Sequence, residues 1–129
     1  MRERQSVGRA YQEVQVRTST VGRAVLMLFD SAIRFSALTK KQMMAQNVPE
    51  AYKSRGKLLC VLSGLMSSLD IESGHKEVES FFFLYSYASR LARETDVKMQ
   101  NASNLNEITR IMSELRRNWK AMLLENPAL

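Results

Sequence analysis

Near the C-terminal end of the chain, Leu105, Ile108, Met112, Leu115, Trp119 and Met122 recur at alternating steps of three and four residues. An α-helix turns about 100° per residue, so this spacing gathers all six side chains into one seam; a strand would scatter them over both faces. Such a seam is stable only when other apolar faces cover it. The remainder of the chain must supply that cover with helices, because five glycines and two prolines in 129 residues are too few for the many turns of a barrel or sandwich. A single domain of this length buries enough surface to need no staple. Cys60 and His75 are the only cysteine and histidine, which removes a disulfide framework, a multi-cysteine metal site and a His–His relay. The expected class is all-α.

Punctuation divides the chain into an arm and four helical runs. The arm covers 1–17, with scattered apolar residues Val7, Tyr11, Val14 and Val16. Thr18-Ser19-Thr20 offers N-cap residues, and a first helix is expected over about 21–45 with an inner stripe of Val21, Ala24/Val25, Leu28, Ala32 and Phe35. Within it, Ala24-Val25-Leu26-Met27-Leu28-Phe29 is apolar around the whole circumference, more than one stripe requires. Asn47-Val48-Pro49-Glu50 starts a second helix reaching about Leu69, with Leu58, Val61/Leu62, Leu65 and Leu69 inward and Gly56 and Gly64 weakening it. Asp70-Ile71-Glu72-Ser73-Gly74 is a turn. A third helix is expected over 76–100, with Phe81, Leu84/Tyr85, Ala88 and Leu91/Ala92 on one face and Phe82 and Phe83 off it. Asn101-Ala102-Ser103 opens the fourth, which carries the seam and ends at Asn126-Pro127. Four such helices joined by short loops make an up-down-up-down antiparallel four-helix bundle over 18–125, with 1–17 folding over it as an arm.

No stretch is apolar for the ~20 residues a membrane span needs, and the N-terminus lacks the apolar core of a secretory signal, so the expected location is the cytoplasm. Charge is uneven. Residues 1–57 carry eleven Lys/Arg against four acids, a balance of +7, whereas 58–129 carry eight against nine, a balance of −1. A basic half suits nucleic acid, an anionic surface, an acidic protein partner, or solubility alone. No nucleic-acid reading motif accompanies it.

Catalytic patterns are missing too. His75 falls in the stretch read as a turn, so no helical run carries the Glu-x-x-His of a di-metal bundle site, and Glu77 and Glu79 point to different helix faces. Val21-Gly22-Arg23 lacks the rest of a phosphate loop, and Cys60, inside Leu58-Leu59-Cys60-Val61-Leu62, reads as a small buried hydrophobe. The chain is expected to be no enzyme and to need no cofactor or metal.

Four elements in order carry a resemblance. Tyr11, Thr18-Ser19-Thr20 and Val25-Leu26-Met27-Leu28-Phe29-Asp30-Ser31-Ala32-Ile33-Arg34-Phe35 come first. Leu65 through Leu69-Asp70-Ile71-Glu72-Ser73-Gly74, then Leu84-Tyr85-Ser86-Tyr87, then Leu115-Arg116-Arg117-Asn118-Trp119-Lys120 follow. Together they resemble the flagellar secretion chaperone family (FliS type) over about residues 10–123. The resemblance implies a cytoplasmic bundle that binds the disordered C-terminal segment of flagellin, blocks its polymerisation and delivers it to the type III export gate. It also implies an arm tyrosine, here Tyr11, that covers apolar surface and yields to the client. The chain departs from the family at Gly74-His75, Ser86, Thr95-Asp96 and the Phe82-Phe83 pair. Either the bundle is packed more fully at that pair or at least one of the two faces a client or a second subunit, and the second is the expectation. The candidate partner-binding residues are Val7, Tyr11, Val14, Val25, Phe29, Phe82, Phe83 and Tyr87, with a monomer binding flagellin one-to-one, no nucleic acid and no membrane insertion. The alternative is a basic helical module for nucleic acid or structural dimerisation.

Overall fold

A computed structural model describes residues 21–69 and 76–125. Arm residues Val7, Tyr11 and Val14, and His75 in the second turn, lie outside the described residues. The described chain forms four helices: α1 (Val21–Met44), α2 (Val48–Ser67), α3 (Lys76–Glu94) and α4 (Ser103–Glu125). They make a four-helix bundle in which α1 packs on α2 and α4, and α3 packs on the same two. Paired positions on α1 and α4 run in opposite order: Trp119 Nε1 donates to the Gly22 carbonyl at 2.9 Å, and Lys40 Nζ donates to Asn106 Oδ1 at 3.1 Å. Arg116 also pairs with Asp30 between α1 and α4.

The α4 seam is wholly inside. Leu105, Ile108, Met112, Leu115, Trp119 and Met122 are all buried, joined by Ile111. On α2 the inner row is Ala51, Ser54, Leu58, Leu62 and Leu65, with Leu69 just beyond the helix end and Val61 half-buried. Gly64 is not there for close approach, since a Cβ would meet Leu28 at an ordinary 3.9 Å.

On α1 the inner stripe is set one position round from the apolar run. Val25, Phe29, Ala32, Ser36, Thr39 and Met43 are buried, whereas Leu28 and Phe35 are half-buried and Ala24 is exposed. The seam keeps its three–four spacing by including two polar residues, which hydrophobicity alone does not count. Thr39 is satisfied: its Oγ1 donates to Ser54 Oγ at 2.8 Å, and Ser54 Oγ donates to Gln42 Oε1 at 2.6 Å. Ser36 Oγ on α1 and Ser89 Oγ on α3 are buried with no hydrogen-bond partner. A buried hydroxyl that finds no partner has lost its water for nothing, so Ser36→Ala and Ser89→Ala are each expected to raise stability by about 1 kcal/mol. Thermal melts check this; a drop in Tm for either variant would mean that the hydroxyl is satisfied in solution.

Helix ends follow local chemistry. α1 closes with the Asn47 amide donating to the Gln42 carbonyl (2.8 Å) and the Gln46 amide to the Met43 carbonyl (3.0 Å), which puts Gln46 at a left-handed φ of 59°. Glycine suits that position without a Cβ clash. Gln46→Gly is therefore expected to stabilise the fold by about 1 kcal/mol, read as a higher urea midpoint with unchanged slope. α3 ends at Glu94, six residues before the expected Gln100. Thr95 Oγ1 donates to the Leu91 carbonyl at 2.8 Å, and Asp96 Oδ1 accepts from the Lys98 amide at 3.0 Å. Those short polar side chains offer the backbone a turn in place of another helical turn. Val97 is still buried, so the turn is packed and not merely tethered.

Candidate partner-binding surface

Phe81-Phe82-Phe83-Leu84-Tyr85 places five large apolar side chains on one and a half turns of α3, so they cannot all face the core. Tyr85 takes the inward place, 1% exposed, with its ring 6.2 Å from Phe29 and 5.9 Å from Phe81. Phe81 and Leu84 are half-buried beside it. Phe82 and Phe83 are left on the outside, 39% and 67% exposed.

Two hollows lie along α3. One, of ≈ 260 Å³, is lined by Glu77, Ser80, Phe81 and Leu84 of α3 and Leu115 of α4. Glu77 Oε1 is buried there without a hydrogen-bond partner, an acceptor waiting beside apolar walls. The other, of ≈ 250 Å³, is lined by Val78, Glu79, Phe82, Phe83 and Ser86 and is almost wholly apolar. One turn further on, the Tyr87 ring stacks on Phe83 with centroids 6.5 Å apart and planes 4° from parallel, and Arg90 lies 5.1 Å over Tyr87. The residues at 83, 87 and 90 thus form an i, i+4, i+7 row of two aromatic rings ended by a cation.

Beside Tyr87, Arg110 on α4 donates to both oxygens of Glu107, at 2.7 and 2.9 Å, and reaches Glu114 at 3.4 Å. The hydrogen bond from Arg110 holds the Glu107 carboxyl below its ordinary range, and the same bond raises the guanidinium. The group is open to solvent and screened, so it fixes side-chain positions along the edge of the face more than it stabilises the bundle.

Of the sequence-based candidates, the structure brings Phe82, Phe83 and Tyr87 together on the outer side of α3. It withdraws Val25 and Phe29, which are 3% and 0% exposed in the core, because the inner seam of α1 runs through them. From the α1 apolar run it is Met27 that reaches solvent, 67% exposed, at the end of the bundle where α4 finishes with exposed Leu124. Met44 and Met99 are exposed at the opposite end, while Met43, Met112 and Met122 fill the core. Cys60 is exposed, contrary to the expectation of a buried hydrophobe, since its neighbours Leu58 and Leu62 two positions away point inward. Sequence reasoning missed Val78, Ser86 and Leu115 as walls of the hollows; the five-residue apolar run was the signal that something beside α3 had to be left uncovered. Among the described residues no group of His, Cys, Asp and Glu could hold a metal, and no helix is long and apolar enough to cross a membrane.

A family model described as flagellar protein FliS matches residues 4–126. The chain belongs to the FliS family. Flagellar secretion chaperone FliSB of Pseudomonas aeruginosa is 26% identical to it over 108 residues, which is 83% of this chain and 84% of that protein. In this FliS-family chain the exposed apolar face is therefore carried on a helix that lies within the matched region, as are the α4 seam and the α1 run.

Proposed function

We propose that this FliS-family chain is a cytoplasmic export chaperone for flagellin. It binds the C-terminal segment of flagellin one-to-one, keeps it from polymerising and hands it to the flagellar type III export apparatus. The observation that carries this reading is the outer face of α3, where exposed Phe82 and Phe83 wall an apolar hollow. An amphipathic segment laid along such a face inserts apolar anchors at helical spacing, and burying them removes the surface through which the segment would join a filament. Phe82, Phe83 and Tyr87 act as the aromatic anchors. The arm, through Val7, Tyr11 and Val14, covers apolar surface in the free protein and yields to the client.

The test is co-purification of the full chain with a flagellin C-terminal fragment, beside a fragment lacking its last ~40 residues, a span of several helical turns. Capture of the first and not the second, persisting at moderate salt with a negative heat-capacity change, supports the reading. No capture, or equal capture of both fragments, overturns it. Sedimentation of the free protein at several concentrations separates a client face from a dimer interface through the same phenylalanines.

A further inference from the structure

The positive charge of this chain is concentrated on one side of the bundle. Between Val21 and Ser67, α1 and α2 carry seven Lys/Arg against Asp30 and Glu50 alone. Both acids are already engaged, Asp30 by Arg116 of α4 and Glu50 by Lys53 at 3.4 Å. Arg34 on α1 and Lys57 on α2 meet over a single ring: the Arg34 guanidinium lies 4.8 Å and the Lys57 ammonium 5.9 Å from the Phe35 centroid. Neither is paired with a carboxylate among the described residues, and both are exposed. Helical spacing sets Lys41 two turns along α1 from Arg34, and Lys53 one turn back along α2 from Lys57. The result is a cluster of cations, about 10 Å along α1 and about 6 Å along α2, in which Arg34, Lys41 and Lys57 have no carboxylate partner among the described residues and Lys53 is held by Glu50. Half-buried Phe35 and Leu38 form its floor, and Gly56 leaves open space beside Lys57.

We propose that this α1–α2 face is a second docking surface, taking an acidic peptide segment of a partner protein that carries apolar side chains between its carboxylates. Charge complementarity fixes the sign of the occupant. This chain cannot provide it from its own N-terminus, since residues 1–20 hold four arginines and two glutamates. The floor fixes the rest: an aromatic ring and a leucine between the cations match apolar side chains better than the sugar and phosphate of a nucleic acid, for which a longer continuous basic track would be needed. The surface is independent of the apolar face of α3. It lies on other helices and works by charge, so it steers encounter and fixes register where α3 works by burial. One molecule can hold an apolar client on one side and an acidic partner on the other.

The experiment is fluorescence anisotropy with a labelled peptide that alternates Asp/Glu with Leu/Phe, titrated with the full chain, beside the same peptide with Asn/Gln in place of the acids. The acidic peptide is expected to bind at least about tenfold more tightly, weakening several-fold as salt rises from about 50 to 200 mM. Arg34→Glu combined with Lys57→Glu should cost about tenfold or more. Arg117→Glu combined with Lys120→Glu makes the same change of net charge on exposed α4 positions and should cost less than about twofold. Phe83→Ala should leave peptide binding unchanged whether or not flagellin proves to be the client, which keeps the two surfaces separable. Equal losses in both charge-reversed pairs would reduce the effect to net charge and overturn the proposal. So would equal binding of the neutral peptide, or a single-stranded RNA or an anionic vesicle that binds through Arg34 and Lys57 more tightly than the peptide.

Discussion

Phe29→Ala is expected to destabilise the bundle by about 3–5 kcal/mol, enough to lower Tm by roughly 10–20 °C in a domain of this size. The side chain is fully buried, and its ring packs 6.2 Å from Tyr85 across the core, between α1 and α3. Truncating it removes apolar area and leaves a cavity that two facing helices can close only by moving together. Val25, one turn earlier on the same seam and equally withdrawn, should follow with a smaller loss, about 1–3 kcal/mol for Val25→Ala. Thermal or urea unfolding monitored by circular dichroism reads both. If either variant instead kept its stability and lost flagellin binding, the residue would be a client contact reached by opening of the bundle, and the burial described above would not be the state that matters.

Phe82→Asp combined with Phe83→Asp carries the opposite signature. The pair is exposed, so the free protein should unfold within about 1 kcal/mol of the parent. If α3 is the client face, two aromatic anchors are lost and carboxylates are placed where apolar side chains must be desolvated, a combination expected to weaken binding of the flagellin fragment by about 100-fold or more. Calorimetric titration measures it. Unchanged affinity would remove α3 from the binding surface, and a collapse of Tm would show that the rings pack more deeply than their exposure indicates. Phe83 is the more informative of the two singly. It is the more exposed, and it stacks on Tyr87, itself half-buried against the core, with Arg90 over that ring.

The two variants contrast because the same residue class does two jobs at different angles around a helix. Both Val25–Phe29 and Phe81–Tyr85 are continuous apolar runs in the sequence. Each contains more apolar residues than one inner stripe can take, and each therefore announces surplus surface without saying which member is surplus. A rotation of α1 by one position separates a stripe through Leu28 and Phe35 from one through Phe29 and Ser36. The difference is decided by Thr39 and Ser54, which satisfy each other between α1 and α2, and by Tyr85 filling the space opposite Phe29. A tally of hydrophobic residues scores serine and threonine as outward, and so favours the wrong rotation.

Local sequence was sufficient where its signals were strong and unopposed. Over most of α4 the residues off the seam are polar, Ile111, Ala121, Leu123 and Leu124 excepted, so its six inner positions and their spacing are fixed by period alone, and the structure buries all of them. Helix starts were likewise fixed by Val48-Pro49 and by Asn101-Ala102-Ser103, because proline in the first turn, and the Ser103 amide donating to Asn101 Oδ1, act within a few residues. The end of α3 was not, since Thr95 and Asp96 leave a helix only when a turn is available to receive them, and that turn is held by Val97 in the core. The charge imbalance was present in the composition, but composition has no direction. Folding brought Arg34 and Lys57, twenty-three positions apart, over one phenylalanine ring. By itself, then, the sequence determined that this protein is a bundle of helices with more apolar and more basic surface than a bundle requires, because periodicity and net charge are sums over neighbours. The tertiary structure alone decided which rings face water and which cations share a surface, because those depend on how each helix is turned against its partners.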